Sequence, residues 1–162
     1  MAGGDYSAFL KAYLDEQGEP LPDSSGELVT TTGEVLGHHE GIHSFTVGQR
    51  KGLGLTSPDP LYVLAIHPDS HQVTVGPDGA LMGTVLNANR LNWISIPSLA
   101  PNETIRVSIK IRHRHTPAMA TLSAPTPETV PAIFDEPQRA ITPGQSAVFY
   151  QEDEVVGGGW IY

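Results

Sequence analysis

The sequence lacks cysteine entirely and has no long apolar run. None of its 162 residues is cysteine, which excludes within this chain a disulfide framework, a thiolate zinc site and a cysteine nucleophile. No stretch approaches the roughly 20 apolar residues that a membrane-spanning helix needs. The opening stretch MAGGDYSAFL has neither a basic region nor an apolar core, so we expect no signal peptide. These features predict a soluble, globular, cytoplasmic protein without a membrane partner.

Basic residues are also scarce, and they are unevenly distributed. The formal net charge is −9, which for the chain as a whole argues against binding to nucleic acid. However, residues 1–40 hold eight Asp or Glu and a single Lys, whereas residues 104–121 hold four Lys or Arg and no acid. Because screening limits the reach of distant acids to roughly 10 Å, a local basic segment can still bind phosphate.

The abundant glycine and proline predict a chain of short strands. There are 17 Gly and 14 Pro, and they recur at the spacing that separates strands and turns. Hairpins are predicted over residues 27–39, 60–77 and 146–162. Only the segment DYSAFLKAYLDEQG, residues 5–18, has apolar side chains at helical spacing, with Asp5 suited to cap the helix and Gly18 to end it. We therefore predict a mainly β chain with one short N-terminal helix, folded as two small barrels or sandwiches.

The proline-rich segment PSLAPNE, residues 97–103, is the best candidate for a boundary between two domains. It separates an extended stretch that ends near Ile96 from the next strand pattern. The predicted organisation is a helix and linker over residues 1–27, a central β domain over residues 28–97 and a C-terminal β-barrel over residues 98–162.

The segment TIRVSIKIRHRH, residues 104–115, has the clearest alternation in the sequence. Its even positions carry four cations, namely Arg106, Lys110, Arg112 and Arg114, and its odd positions 105, 107, 109 and 111 are Ile or Val. Alternate side chains lie on opposite faces of a strand, so one face packs in a core and the other carries cations along roughly 30 Å. Such a face can follow a nucleic-acid backbone. The alternative is a solvated edge strand that uses charge to prevent aggregation. His113 lies at an odd position, on the predicted face of the apolar residues. Either a contact with the core or stacking on a base would suit it there.

The segment HSFTVGQRKGLGL, residues 43–55, places Gln49, Arg50 and Lys51 among glycines. Its spacing fits neither the P-loop nor the dinucleotide-binding motif, and Pro58 makes a following helix improbable. We interpret it as a turn that presents these three residues to solvent, with a plain hairpin connection as the alternative.

Three histidines, His38, His39 and His43, lie close together in HHEGIH. Histidines four or five residues apart can share a metal ion. However, glycines interrupt any helix here and Glu40 is the only nearby carboxylate, so we expect local hydrogen bonding and no metal site. No nucleophile motif of the form GxSxG is present.

Three collinear blocks resemble the bacterial tRNA-specific 2-thiouridylases, or tRNA-uridine 2-sulfurtransferases. They are GEVLGHHEGIHSFTVGQRKGLGL (residues 33–55), VSIKIRHRHTP (residues 107–117) and FDEPQRAITPGQSAVFYQEDEVVGGGWI (residues 134–161). The resemblance implies a parent enzyme with an N-terminal ATP-pyrophosphatase domain of the PP-loop type. A central β domain and a barrel similar to domain II of elongation factors would follow it.

The resemblance also implies the chemistry of the parent enzyme. ATP, with magnesium, adenylates the C2 oxygen of the wobble uridine, and a cysteine persulfide, supplied through a sulfur-donor protein, delivers sulfur. This chain has no PP-loop motif and no cysteine. It therefore matches the C-terminal part of the family, and we expect it to hold no catalytic residue and no cofactor and to be inactive alone.

The resemblance places contacts with the tRNA anticodon arm in two segments of this chain. They fall on Arg112, His113 and Gln145, with Lys110, Arg114 and Arg106 as weaker candidates. His113 stands where the family frequently has tyrosine. The loop with Gln49, Arg50 and Lys51 is expected to face either the PP-loop domain or the tRNA. A protein-interaction β-barrel module of a translation-related protein is the alternative function.

Overall fold

The computed structural model describes residues 13, 16–18, 23–124, 126 and 128–162. The chain divides into two compact units, Met1–Ala80 and Leu81–Tyr162. Of the helix predicted over residues 5–18, Tyr13, Glu16, Gln17 and Gly18 lie among the described residues. The first three are helical, and Gly18, the predicted stop, lies in a turn with a φ of +71°. In the described part of the chain, no helix is long and apolar enough to cross a membrane.

The first unit contains a four-stranded sheet with the strand order β2-β1-β4-β3. The strands are β1 (Gly26–Val29), β2 (Val35–His39), β3 (Tyr62–His67) and β4 (Gln72–Gly76). β1 pairs antiparallel with β2, and β3 pairs antiparallel with β4, which confirms both predicted hairpins. β1 also pairs in parallel with β4, with Leu28 opposite Val73. This parallel pair joins the two hairpins into one sheet.

Local chemistry explains the first hairpin turn. The hydroxyl oxygen of Thr30 accepts hydrogen bonds from the backbone N–H groups of Thr32, at 3.3 Å, and Glu34, at 3.1 Å. Gly33 has a φ of +85°, a conformation that favours glycine. The turn lies at the Thr32-Gly33 position that the sequence predicts.

The core of the first unit is formed by side chains from the sheet and from the segment before β3. Its buried members are Leu28, Phe45, Leu53, Val63, Val73 and Val75. Phe45 and Leu53 flank the glycine-containing segment, so burial at both of its ends anchors that loop to the sheet.

The second unit is a closed six-stranded barrel with the strand order β10-β5-β8-β7-β6-β9. Its strands are β5 (Met82–Trp93), β6 (Thr104–Lys110), β7 (Ala118–Ser123), β8 (Thr129–Arg139), β9 (Ser146–Gln151) and β10 (Glu154–Ile161). β9 and β10 form the predicted C-terminal hairpin. Closure pairs both edges of every strand.

The boundary between the units differs from the one that the sequence predicts. The prediction assigned residues 28–97 to the first domain, but β5 pairs with β8 and β10 of the barrel. Leu86 and Ala88 on β5 are fully buried in the barrel core. The division therefore falls after Ala80. The prolines near residue 97 lie in the connection between β5 and β6, which are two strands of the same barrel. Proline cannot donate to a strand ladder, so it suits such a connection without marking the end of a domain.

Candidate nucleic-acid interface

Strand β6 carries part of the predicted basic face. Val107, Ile109 and Ile111 are buried as the alternation predicts, while Arg106 is exposed and Lys110 is half-buried. The strand ends at Lys110, however, and not at residue 115. The prediction of four cations along one strand is therefore wrong in its second half.

Arg112, His113 and Arg114 lie in the turn that connects β6 to β7. The backbone N–H of His115 donates to the carbonyl oxygen of Arg112 at 3.1 Å, which closes the turn. His113 and Arg114 are exposed there, so His113 is not the core residue that its parity suggested. The chain must reverse before β7 begins at Ala118, and this reversal ends the alternation.

The strand register brings this turn and Gln145 to the same end of the barrel. β6 pairs antiparallel with β9, with Ser108 opposite Tyr150 and Lys110 opposite Val148. As β6 continues past Lys110 it approaches the residues that precede β9, which include Gln145. Two segments far apart in sequence thus converge.

Arg112 is anchored to strand β8 by its own side chain. Its Nη1 atom donates to the carbonyl oxygen of Arg139 at 2.7 Å, and the residue is half-buried. A guanidinium has five N–H donors, so one bond to a carbonyl leaves most of them for another acceptor. The anchor fixes the direction of the charge without neutralising it.

A second contact holds the turn against β8. His115 Nε2 donates to Gln138 Oε1 at 2.9 Å, and Gln138 Nε2 donates to the carbonyl oxygen of Glu136 at 2.8 Å. The sequence contains both His115 and Gln138 but gives no signal that they meet, since 23 residues separate them. With the Arg112 contact, this bond makes the turn a supported element.

Gln145 is the last residue of a tight turn formed by residues 142–145, TPGQ. The backbone N–H of Gln145 donates to the carbonyl oxygen of Thr142 at 3.3 Å, and Gly144 has a φ of +83°. Proline followed by glycine at positive φ is typical of a type II turn. The carbonyl oxygen of Gln145 accepts from Ile161 N–H at 2.8 Å. The backbone of Gln145 is thereby fixed, and its half-buried side chain forms no hydrogen bond with the described residues.

Arg106 does not contribute a free charge to this surface. Its guanidinium donates to both carboxylate oxygens of Asp135, at 2.8 and 2.5 Å, and to the Thr121 hydroxyl at 2.9 Å. The hydrogen bonds between Arg106 and Asp135 raise the pKa of Arg106 and lower the pKa of Asp135. Asp135 lies 29 residues away on β8, so the segment that lacks acids in sequence has an acid beside it in space.

The remaining cations of the basic segment lie towards the end of the barrel that holds Gln145. Among the described residues, Lys110 and Arg114 have no carboxylate within ion-pair distance. Together with Arg112, they leave three positive charges near one turn. Three cations without acidic partners are a surface suited to phosphate.

The glycine loop of the first unit differs from its prediction at Gln49. This side chain is half-buried, and its Oε1 accepts from Thr46 N–H while its Nε2 donates to the Lys51 carbonyl, both at 3.0 Å. Gln49 therefore turns its side-chain amide back onto the loop and supports it, whereas the prediction presented all three side chains to solvent. Arg50 and Lys51 are exposed, as predicted.

An open cleft of about 220 Å³ lies beside this loop, lined by Arg50, the glycines and leucines that follow, Ser57, Asp59 and Pro60. Gly52 and Gly54 have positive φ angles of 77° and 68°, so the loop depends on glycine. The next element after the glycines is strand β3 and not a helix. The loop therefore has no helix N-terminus of the kind that binds the phosphates of a nucleotide.

The histidines near residue 40 form contacts within the protein. His39 Nε2 donates to the His71 carbonyl at 3.0 Å, and its ring packs edge-on against Phe45 at 5.0 Å. Burial lowers the pKa of His39. His43 Nδ1 lies 3.5 Å from the Ser24 hydroxyl. Within the part of the chain that the structure describes, no three His, Asp or Glu side chains are grouped to hold a metal.

Family models match both units of the chain. Residues 7–77 match the tRNA methyl transferase PRC-barrel domain, and residues 84–161 match the aminomethyltransferase beta-barrel domain. The second match begins within β5 and ends in β10, so it covers the closed barrel.

Curated relatives match nearly the whole chain. The tRNA-specific 2-thiouridylase MnmA of Acidobacterium capsulatum is 62% identical over 162 residues, which cover 98% of this chain and 43% of that protein. The enzyme of the same name from Koribacter versatilis is 57% identical over 158 residues, covering 98% and 42%. That of Nostoc punctiforme is 41% identical over 152 residues, covering 94% and 42%.

The chain thus spans less than half the length of the relatives that it matches. Two β-domain models in collinear order and identities up to 62% confirm the resemblance drawn from the three sequence blocks. The chain belongs to the family of tRNA-specific 2-thiouridylases and corresponds to the C-terminal β domains of its members.

Proposed function

We propose that this chain binds and positions tRNA for an enzyme that 2-thiolates the wobble uridine. The observation that supports it most is the convergence of Lys110, Arg112, Arg114 and Gln145 at one end of the barrel. The β6–β9 register produces this convergence. The four residues lie in two segments, and hydrogen bonds to backbone groups anchor each segment. The interface combines charge with one side-chain amide that has no partner among the described residues.

Positioning is a physical requirement of the proposed reaction. The target uridine must leave its base stack before its C2 atom can be attacked, and this costs on the order of a few kcal/mol. Phosphate contacts away from the reacting base can offset that cost, because they hold the RNA in register without reading its sequence. Arg112 suits this role, since its anchor to the Arg139 carbonyl fixes its orientation.

We assign ATP binding and sulfur transfer to the portion of the relatives that this chain does not cover. The relatives continue for more than half their length beyond the match. The loop with Gly48, Gly52 and Gly54 does not fit a nucleotide, because Gln49 spans it and the element that follows it is strand β3 and not a helix. ATP, when bound elsewhere in the enzyme, would activate the uridine oxygen, and this chain would hold the RNA.

We further propose that Arg50 and Lys51 contact either the ATP-using domain or the tRNA. Both side chains are exposed next to a loop that Gln49 holds in one conformation. A supported loop loses little conformational freedom when it binds, which makes contacts through it less costly.

Charge reversal at the barrel end tests the main proposal. Lys110→Glu combined with Arg112→Glu is expected to weaken tRNA binding and to flatten its dependence on salt. Each phosphate contact contributes roughly 0.7–0.9 to the slope of log K against log salt. Loss of two contacts therefore lowers the slope by about 1.4–1.8. The measurement is fluorescence anisotropy of labelled tRNA titrated with the 162-residue chain between 50 and 200 mM salt.

The matched control replaces the neutralised pair on the same barrel, Arg106→Gln with Asp135→Asn. Because these two charges cancel, the double substitution should leave the salt slope unchanged. A Lys110/Arg112 variant with the wild-type slope would refute the proposed tRNA-binding role. We expect the wild-type chain itself to bind tRNA weakly, because the proposed catalytic domain supplies the remaining contacts.

A further inference from the structure

Three consecutive glycines on β10 shape a groove on the outer face of the barrel. A Cβ atom at Gly157, Gly158 or Gly159 would lie 2.7, 2.6 or 2.7 Å from a carbonyl oxygen of a neighbouring strand. Those strands therefore approach β10 more closely than any side chain would allow. The groove over these glycines encloses about 270 Å³ and opens to solvent.

The strand registers define what surrounds the groove. Gly158 lies opposite Val148 of β9 and Asn92 of β5, and Val148 in turn lies opposite Lys110 of β6. Directly opposed residues of antiparallel strands lie on the same face. The outer surface therefore carries a row of residues that begins at the cation Lys110, crosses the apolar Val148 and Gly158, and ends at the amide Asn92.

Trp160 forms one wall of this groove and is 50% exposed. It lies opposite Ser146 of β9 and Asn89 of β5. Ser146 directly follows Gln145, so Trp160 lies beside the surface proposed to contact tRNA. A large, half-exposed aromatic ring next to polar groups is typical of a binding surface.

We propose that this groove binds one unstacked nucleobase of the RNA, with its ring stacked on Trp160. Lys110 would contact a neighbouring phosphate, and Ser146 and Asn92 would offer hydrogen-bonding groups to the edge of the base. This inference rests on the proposed tRNA-binding function and adds a base-stacking site to it. Base–aromatic stacking tolerates any base, because every base has a π face.

The size and charge of the groove favour this occupant. Its volume lies just below the range of about 300–1,000 Å³ typical of drug-sized ligands, which suits a single planar ring. No charged side chain lines it. The acidic residues Glu152, Asp153 and Glu154 lie at the opposite end of the β9–β10 hairpin. A polyanion is therefore directed to the end that holds Trp160 and Gln145.

The topology argues against an extended peptide as the occupant. Peptides that add to a sheet need an unpaired strand edge. The strands that floor the groove, β9, β10 and β5, are each paired on both sides within the closed barrel. The groove offers side chains and a flat backbone surface but no free edge.

The test compares Trp160→Ala with Trp160→Phe in tRNA binding by the 162-residue chain. Loss of one stacked base should weaken binding roughly 5- to 140-fold in the alanine variant. The phenylalanine variant keeps a planar ring and should bind within about 3-fold of wild type. The salt slope should stay unchanged in both, because no cation is removed. In a Trp93→Phe background, tRNA or oligouridylate should also quench the remaining fluorescence of Trp160.

The control is Ile133→Ala, which removes an apolar side chain that is 60% exposed on strand β8. It should leave tRNA binding unchanged. If Trp160→Ala binds like wild type while the Lys110/Arg112 charge reversal flattens the salt slope, the stacking site is refuted and the proposed function stands. If neither change affects tRNA binding, both proposals are refuted. A cooperative urea transition of Trp160→Ala, followed by the fluorescence of Trp93, checks that the alanine variant is folded.

Discussion

Replacing Gly159 with alanine is expected to destabilise the barrel. The added Cβ would lie 2.7 Å from the Asn89 carbonyl oxygen, 2.9 Å from Leu91 Cδ2 and 3.3 Å from Ala88 Cβ. The first contact is with backbone on the paired strand β5. β10 cannot move away freely, because it is also paired with β9 on its other edge.

The expected cost follows from this overlap. Inserting a methyl group into a well-packed region typically costs about 1–3 kcal/mol, and the rigidity of both paired strands supports a value near 2. Alanine also restricts the unfolded chain relative to glycine, which offsets about 0.4–1 kcal/mol. A net loss of about 1–2 kcal/mol should lower the urea midpoint by about 0.5–1 M, for a slope near 2 kcal/mol/M.

Urea unfolding followed by tryptophan fluorescence is a suitable assay. The chain has two tryptophans, and both Trp93 and Trp160 lie on strands of the barrel. The fluorescence change therefore reports the unit that contains the substitution. Equal slopes in wild type and variant are needed for the comparison of free energies of unfolding.

Gly83→Ala provides the matched control within the same barrel. A Cβ at Gly83 would meet only the end of Ile141, at 3.5 Å, which is an ordinary contact. Both substitutions have the same effect on the unfolded chain, so the difference between them isolates the overlap at Gly159. A Gly159 variant as stable as the Gly83 variant would refute the argument from close strand approach.

Two further predictions concern the first unit. Burial lowers the pKa of His39 in the folded state, so below about pH 6.5 the unfolded state binds the proton more readily. The free energy of unfolding of the first unit should therefore decline as the pH falls below about 6.5. His39→Gln should reduce this decline, as measured by hydrogen exchange of the β1 and β2 amides corrected for intrinsic rates. Gln49→Ala removes two hydrogen bonds from the glycine loop and should cost about 1–2 kcal/mol, measured as faster exchange at Val63. Gln49→Glu keeps the acceptor for Thr46 but turns a carboxylate towards the Lys51 carbonyl, so it should recover little, and protection equal to wild type in both variants would contradict the loop-supporting role.

Several elements could be predicted from local pattern alone. The turn at Thr32-Gly33, the β3–β4 hairpin and the C-terminal hairpin are all where strand and turn preferences place them. Burial of Val107, Ile109 and Ile111 follows from alternation. These features depend on neighbours within a few residues, so the sequence contains the information that specifies them.

The charge of the basic segment could not be predicted in the same way. In sequence, Arg106 and Arg112 are equivalent members of one alternating pattern. In the barrel, Arg106 is paired with Asp135, whereas Arg112 donates to a carbonyl and keeps its charge. The two differ because strand β8 supplies an acid near one and a backbone acceptor near the other, and that placement depends on strand order.

The loop around Gln49 shows the same limit. Glycine spacing excluded the known phosphate motifs and predicted a turn, and the structure contains a turn. Which side chain supports the loop and which is exposed depends on reach and direction in space. Gln49 and Arg50 are adjacent in sequence and have opposite roles.

The sequence by itself determined the family, the β character of the chain and the positions of its hairpins. All three depend on residue identity at short spacing, and the matches to known relatives confirm the family. Only the tertiary structure decided the boundary after Ala80, the neutralisation of Arg106 and the convergence of Arg112 with Gln145. Each of these requires contacts between strands far apart in the chain, and closing the barrel is what creates those contacts.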